Sequence, residues 1–175
     1  MKKFIATLMV LFTMTFVSYG QTDCGLNIGY SANNFLKMGV KLWHNNMIYG
    51  MDCGVNLKTP FVGKDYSNII GVNTYPDEQQ EIVSYNSCDV NILVGYTLYK
   101  GLYVGGLFGF ALFEKGVNSY NERHILSSNG YYSFRTEKKG KINYGGVIGY
   151  KYNKIDFAIG YTIAESAFLT IGVGF

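Results

Sequence analysis

The strongest constraint on this chain is an alternation of period two that returns in eight separate stretches. Large apolar residues hold one parity, and glycine or polar residues hold the other. Successive side chains of a β-strand point to opposite faces, so each stretch reads as a strand with one greasy side. The last is the clearest: Ala167, Leu169, Ile171, Val173 and Phe175 share a face, while the intervening positions are mostly small or polar. Strands are expected near 24–30, 36–44, 47–57, 88–99, 101–113, 140–151, 154–163 and 167–175.

The apolar parity carries Leu26, Ile28, Tyr30, Leu36, Met38, Val40, Leu42, Tyr49, Met51, Cys53, Val55 and Leu57. It continues through Val90, Ile92, Val94, Tyr96, Leu98, Leu102, Val104, Phe108, Phe110 and Leu112, then Ile142, Tyr144, Ile148, Tyr150, Ile155, Phe157, Ile159, Tyr161 and Ile163. The other parity carries Gly25, Asn27, Gly29, Lys37, Gly39, Lys41, Gly50, Asp52, Gly54, Asn56, Asn91, Gly95, Thr97, Gly105, Gly109, Lys141, Asn143, Gly145, Gly149, Asp156 and Gly160. A closed sheet of eight strands has an interior just wide enough for side chains to fill, so the branched and aromatic parity cannot all point inward. Turning that parity toward lipid and the glycine-rich one toward the lumen removes the conflict. The expected fold is all-β: an eight-stranded antiparallel up-and-down transmembrane barrel.

The N-terminus agrees with export. Lys2 and Lys3 precede an apolar run from Phe4 to Val17, and Ser18-Tyr19-Gly20 supplies small residues before Gln21. Residues 1–20 are therefore expected to be a signal peptide, too short for a bilayer span of about 20 apolar residues, with 21–175 forming one barrel domain. Without the two leader lysines the charge is close to balanced, which gives no reason to expect nucleic acid as a partner. No later apolar run approaches helix-spanning length, so insertion must be by closed sheet. Three cysteines, Cys24, Cys53 and Cys88, share the outward parity and leave the possibility of any one disulfide open.

The connections supply an independent test. Links at Asn45-Asn46, Lys100-Gly101 and Tyr152-Asn153 are short enough for tight hairpins, whereas 58–87 and 114–139 are long and polar. The three tight links fall on the side of both termini and the two long ones on the opposite side. Short periplasmic turns and longer external loops are the pattern of outer-membrane barrels.

On these residues the chain resembles the small eight-stranded outer-membrane barrel proteins, a group that includes the OmpA transmembrane domain and OmpX-like barrels. It looks most like the glycine- and tyrosine-rich outer membrane protein beta-barrel domain family of Bacteroidetes-type bacteria. The resemblance covers about residues 22–175. Its most specific part is the terminal strand, where Phe175 with Val173, Ile171 and Leu169 resembles the signal read by barrel-assembly machinery. The resemblance implies the cell outer membrane as location and that machinery and outer-membrane lipid as partners. No catalytic motif comes with it.

Lys37, Lys41 and Lys141 share the inward parity with Asp52 and Asp156, and ionised groups in a low-dielectric interior must be paired or watered. They are expected to form an internal network with Asn27, Asn56 and Asn143, with Tyr103, Leu107 and Phe113 helping to fill the lumen. Tyr30, Tyr49, Tyr96, Tyr150 and Tyr161 suit an aromatic girdle. In the long links, Glu122, His124 and Ser127 could be assembled into a hydrolase-like triad, but nothing fixes their geometry and no Gly-x-Ser-x-Gly elbow is present. Phe61, Tyr66, Ile69, Ile70 and Tyr75 in the other link suggest packing on a rim or contact with a surface protein partner. Tyr131–Thr136 continues the alternation of the sixth strand, which could therefore rise beyond the membrane. The chain is thus expected to be a non-enzymatic barrel with a structural or surface-interaction role, without catalytic, cofactor or metal residues. A narrow pore or transport accessory and an envelope lipid-modifying enzyme are the alternatives.

Overall fold

The structure, a computed structural model, describes residues 23–62, 64–65, 79–120 and 130–175. The expected leader lies outside these residues, as do Tyr66, Ile69, Ile70, Tyr75, Glu122, His124 and Ser127. All eight expected strands are present: β1 (Asp23–Ser31), β2 (Phe35–His44), β3 (Met47–Asn56), β5 (Gln79–Tyr99), β6 (Leu102–Tyr120), β7 (Tyr131–Tyr152), β8 (Ile155–Thr162) and β9 (Ser166–Gly174). A two-residue strand, β4 (Lys64–Asp65), pairs in parallel with Tyr132 and Ser133 of β7.

Neighbouring strands follow the chain order from β1 through β3, β5 and onward to β9, and the pairing of β1 with β9 closes the ring. Closure leaves these strands no unpaired edge in the ring. The C-terminal strand is held on both sides, with Leu26 opposite Val173 in β1 and Ile155 opposite Val173 in β8. Past its end the Phe175 amide donates to the Cys24 carbonyl at 2.8 Å.

The chain divides into two compact units. The first takes the residues up to Leu57, Cys88–Ala111 and Ile142–Phe175, and is the closed barrel; the second takes Lys58–Ser87 and Leu112–Lys141. Strands β5, β6 and β7 run 21, 19 and 22 residues, against 8 to 10 for the other five of the ring. A tilted membrane strand needs about 9–11 residues. Much of what reads as polar loop is therefore strand. The extension of β7 through Tyr131–Thr136 is as expected. The extensions of β5 and β6 are not, because Gln79–Ser87 and Glu114–Tyr120 lack clean alternation and are ordered by their cross-strand neighbours instead.

The outward parity is confirmed over most of the wall. Ile159 is 61 % exposed, Val173 60 % and Ile92 59 %, beside Leu26, Ile28, Met38, Phe108, Phe110, Ile148 and Phe157. Single exposed apolar residues are ordinary, but a continuous belt of them requires a partner phase, and lipid is the phase that fits. Val40, Leu42 and Met51 depart from this pattern: they have outward parity yet are buried, the first two in a cluster with Cys24. Cys24, Cys53 and Cys88 are not joined by a disulfide. Cys88 faces Val55 and Cys53 faces Val90, so these two cysteines are diagonal neighbours. Diagonal pairs stand about 7–8 Å apart, beyond the reach of an undistorted disulfide.

Tight links sit where expected. Lys100 and Gly101 both have positive φ, 42° and 91°, the signature of a type I′ hairpin. Asn45 and Asn153 adopt left-handed backbone at 54° each, which asparagine tolerates better than most residues. Gly101 is doubly constrained, because a Cβ there would also lie 2.1 Å from the Lys151 carbonyl oxygen. Gly101→Ala should therefore lower unfolding free energy by at least about 1–2 kcal/mol, measured by urea titration of the refolded barrel. Asn153→Gly, which relieves a positive φ without adding an atom, should be neutral or stabilising.

Candidate functional site

Two features of the molecule could carry function: the lumen of the barrel and the strand extensions. The lumen is filled. Trp43, Ile48, Leu93, Tyr103, Leu107, Val147, Ala158 and Phe168 make an apolar block within it. Inward glycines make room for the aromatics. A Cβ on Gly149 would meet the Tyr103 ring at 2.2 Å, and one on Gly160 would meet the Phe168 ring at 2.4 Å. Each ring thus lies flush on backbone, and the glycine parity of the sequence is the complement of large rings on other strands.

The rest of the filling is polar and charged. Lys37, 0 % exposed, pairs with Glu165 and with Asp52 at 3.2 Å, and its ammonium lies 4.1 Å from the centre of the Phe168 ring. Asp52 also accepts from Asn91 at 3.0 Å. Asn143 donates to Asp89 at 3.0 Å and to Asn91 at 2.8 Å. Its carbonyl oxygen accepts the Ala164 amide at 3.0 Å. Lower in the lumen, Lys41 pairs with Asp156 and donates to the Tyr103 hydroxyl at 2.7 Å, which in turn donates to Asp156 at 2.9 Å. Asn27, Lys41, Asp52, Leu93, Leu107, Val147, Phe168 and Thr170 enclose a cavity of about 10 Å³. That is roughly the least space one water needs.

Lys37, Lys41, Asp52, Asp156, Asn27 and Asn143 are therefore brought into the lumen as the strand parity implies. Lys141 is not. It belongs to the second unit, is exposed, and stacks its ammonium 3.6 Å from the centre of the Phe113 ring. Asn56 is only half-buried. Two carboxylates were missed. Asp89 has the inward parity of Asn91 and was legible. Glu165 lies on the connection after β8, where period-two reasoning stops, and it turns inward because Thr162 Oγ1 and Lys37 both bind its Oε2.

The girdle is visible in two hydroxyls. Tyr30 donates to Asn34 at 2.9 Å, and Asn46 donates to the Tyr96 oxygen at 3.2 Å. Asn34 and Asn46 lie on connections at opposite ends of the barrel. Each ring therefore faces outward with its polar tip held at a rim, the disposition expected at a membrane interface.

The strand extensions have packing of their own. Glu114, buried, forms an ion pair with Arg135 at 3.1 Å and lies 3.7 Å from Lys138. Asn118 donates to the Pro60 carbonyl at 2.8 Å and accepts the Val62 amide at 3.1 Å. The Phe61 ring meets Tyr85 edge-on, with centroids 5.7 Å apart, and lies under the Arg135 guanidinium. Phe61 therefore packs within its own unit. Among the described residues no cluster of His, Cys, Asp and Glu could hold a metal ion. An open groove of about 520 Å³ on the outward face, over Gly146 and between Val104, Ile148, Ile159, Tyr161 and Ala167, is lined by hydrocarbon and has no nucleophile in its walls.

No family model matches the chain, and no curated protein matches it in sequence. Among solved structures it is similar to Ail, the attachment invasion locus protein of Yersinia pestis, at 9 % identity over 87 % of this chain and 91 % of that one, with a TM-score of 0.45. It is also similar to Neisserial surface protein A, at 11 % identity over 87 % of this chain and 90 % of the other, with a TM-score of 0.28. The assignment as an eight-stranded barrel of the outer-membrane type rests on the molecule's own ring of strands and its outward apolar belt.

Proposed function

We propose that this chain is a non-enzymatic outer-membrane barrel that presents the extensions of β5, β6 and β7 at the cell surface as an interaction platform. The carrying observation is the length of these three strands, about twice what a membrane crossing uses, together with a packed interior around Glu114, Asn118 and Phe61. A barrel with only a stiffening role needs no ordered structure beyond the bilayer. The filled lumen speaks against a narrow pore. Outer-membrane lipid is the partner of the apolar belt, and the strand ending at Phe175 is the segment offered to barrel-assembly machinery.

Sidedness is tested by labelling. With Cys24, Cys53 and Cys88 replaced by alanine, Lys139→Cys should react with an impermeant thiol reagent on intact cells, and Asn153→Cys should react only after lysis. Equal labelling of both on intact cells would overturn the orientation. The platform is tested by a barrel in which short turns join Leu57 to Cys88 and Ala111 to Ile142. In cells lacking the protein, this barrel should restore envelope integrity to detergent but not cell-surface attachment. Full restoration of both would remove the extensions from the function.

A further inference from the structure

The lumen holds an acid pair that the ion-pair network does not satisfy. Four buried carboxylates, Asp52, Asp89, Asp156 and Glu165, face two buried lysines, Lys37 and Lys41. Lys41 is engaged by Asp156, and Lys37 by Asp52 and Glu165. Asp89 is 2 % exposed and Glu165 0 %, yet Oδ1 of the first and Oε1 of the second have no hydrogen-bond partner. Both oxygens converge on Gly54: a Cβ on that glycine would lie 2.5 Å from Asp89 Oδ1 and 2.6 Å from Glu165 Oε1. The two oxygens are therefore within about 5 Å of each other, in a space that exists because residue 54 has no side chain.

Two ionised carboxylates cannot share such a site cheaply. Like charges at close range in a desolvated interior disfavour double ionisation, and one group keeps its proton. A proton on either carboxyl would relieve this repulsion and turn one of the two orphaned acceptors into a donor. A metal ion is a poorer occupant, since Lys37 already places a positive charge on Glu165.

We propose that Asp89 and Glu165 form a proton-binding site in the lumen that holds one shared proton at neutral pH. The groups around the pair come from several strands. Lys37 approaches from β2, Asp52 from β3, Asn91 from β5, Asn143 from β7 and Thr162 from the end of β8, while Lys41, Tyr103 and Asp156 form their own cluster lower in the lumen. Of these, only Lys37 supplies positive charge directly to Glu165, and it is divided with Asp52. Burial pushes the carboxyl of Glu165, on the connection outside the spanning strands, up to about 7, with Lys37 pulling against it and Asp89 adding to it. The pair also has a mechanical role. Glu165 clamps the β8–β9 connection onto the lumen, and the proton lets its carboxyl stay beside Asp89.

The folded barrel binds this proton at pH values where the unfolded chain has released it, so stability should fall as pH rises from mildly acidic through neutral to mildly alkaline. Glu165→Gln replaces the protonated acid by an amide that can donate to Asp89 Oδ1 while its oxygen still accepts from Lys37. The mature chain refolded in detergent micelles is the sample. Its infrared spectrum at neutral pH should contain the carbonyl stretch of a neutral carboxyl, shifted in D₂O, lost in alkali and absent from both Glu165→Gln and Asp89→Asn. The fall in stability with pH should flatten in Glu165→Gln, and Asp89→Asn gives the same reading should that variant refold poorly. A wild-type spectrum without a neutral carboxyl at neutral pH, or a carboxyl band that persists in both variants, would overturn the proposal. So would an undiminished pH slope in both variants, which would place the titrating group elsewhere in the barrel.

Discussion

Lys37→Met should lower the unfolding free energy of the refolded barrel by about 3–5 kcal/mol, the range found when one partner of a buried ion pair is removed. Lys37 is completely enclosed and is the cation that both Asp52 and Glu165 face. Methionine keeps the length and fills the space over Phe168, so the loss measures uncompensated charge more than a cavity. A double variant, Lys37→Met with Glu165→Gln, should recover a substantial part of the loss, because a neutral amide tolerates an apolar neighbour better than a carboxylate does. Urea titration in lipid vesicles reads both values. A loss below about 1 kcal/mol, the scale of an exposed pair, would mean that water reaches Lys37 and that the lumen is open at this level.

Ile159→Lys should cost about 2–4 kcal/mol if the residue lies near the bilayer midplane, and less toward an interface. Ile159 sits in the middle of β8, is 61 % exposed and lies opposite Leu169 and Ile148 on the neighbouring strands, all on the outward face. The adjacent Gly160→Ala adds one methyl on the inward face. The structure makes it costly, because the new methyl would meet the Phe168 ring at 2.4 Å and the Gly146 carbonyl oxygen at 2.7 Å. Overpacking of this kind costs about 1–3 kcal/mol, so the two changes should approach each other in stability loss. They should still separate by solvent. The lysine penalty should shrink in a fluid detergent micelle, where its ammonium reaches water more easily, and the methyl penalty should not. Equal losses in vesicles and micelles for Ile159→Lys would indicate that this face is not in lipid.

The site was legible where strands ran and obscure where they ended. Period two assigns a face to every residue of a regular strand, so Lys37, Lys41, Asp52 and Asp156 could be sent to the lumen, and Asp89 follows from the same count. The rule cannot say that Lys41, Tyr103 and Asp156, from three different strands, meet at one height, because height depends on register and tilt rather than parity. Glu165 lay beyond the rule altogether. It is held inward by a hydroxyl three residues away in sequence and by a lysine 128 residues away.

The long links show the same limit. Tyr131–Thr136 alternates in phase with β7, so its continuation could be expected from local pattern. Gln79–Ser87 does not alternate cleanly and becomes strand because β6 lies beside it. By itself the sequence determined the number of barrel strands, their antiparallel order, which parity meets lipid and which connections are tight. Each of these depends on backbone geometry and on burial of one face, and both repeat every two residues. Tertiary structure alone decided which inward groups are partners, that glycines 149 and 160 are seats for Tyr103 and Phe168, that Lys141 stays outside the network, and that Asp89 and Glu165 converge over Gly54. Those outcomes depend on distances between residues remote in the chain, and a short-range repeat carries no information about them.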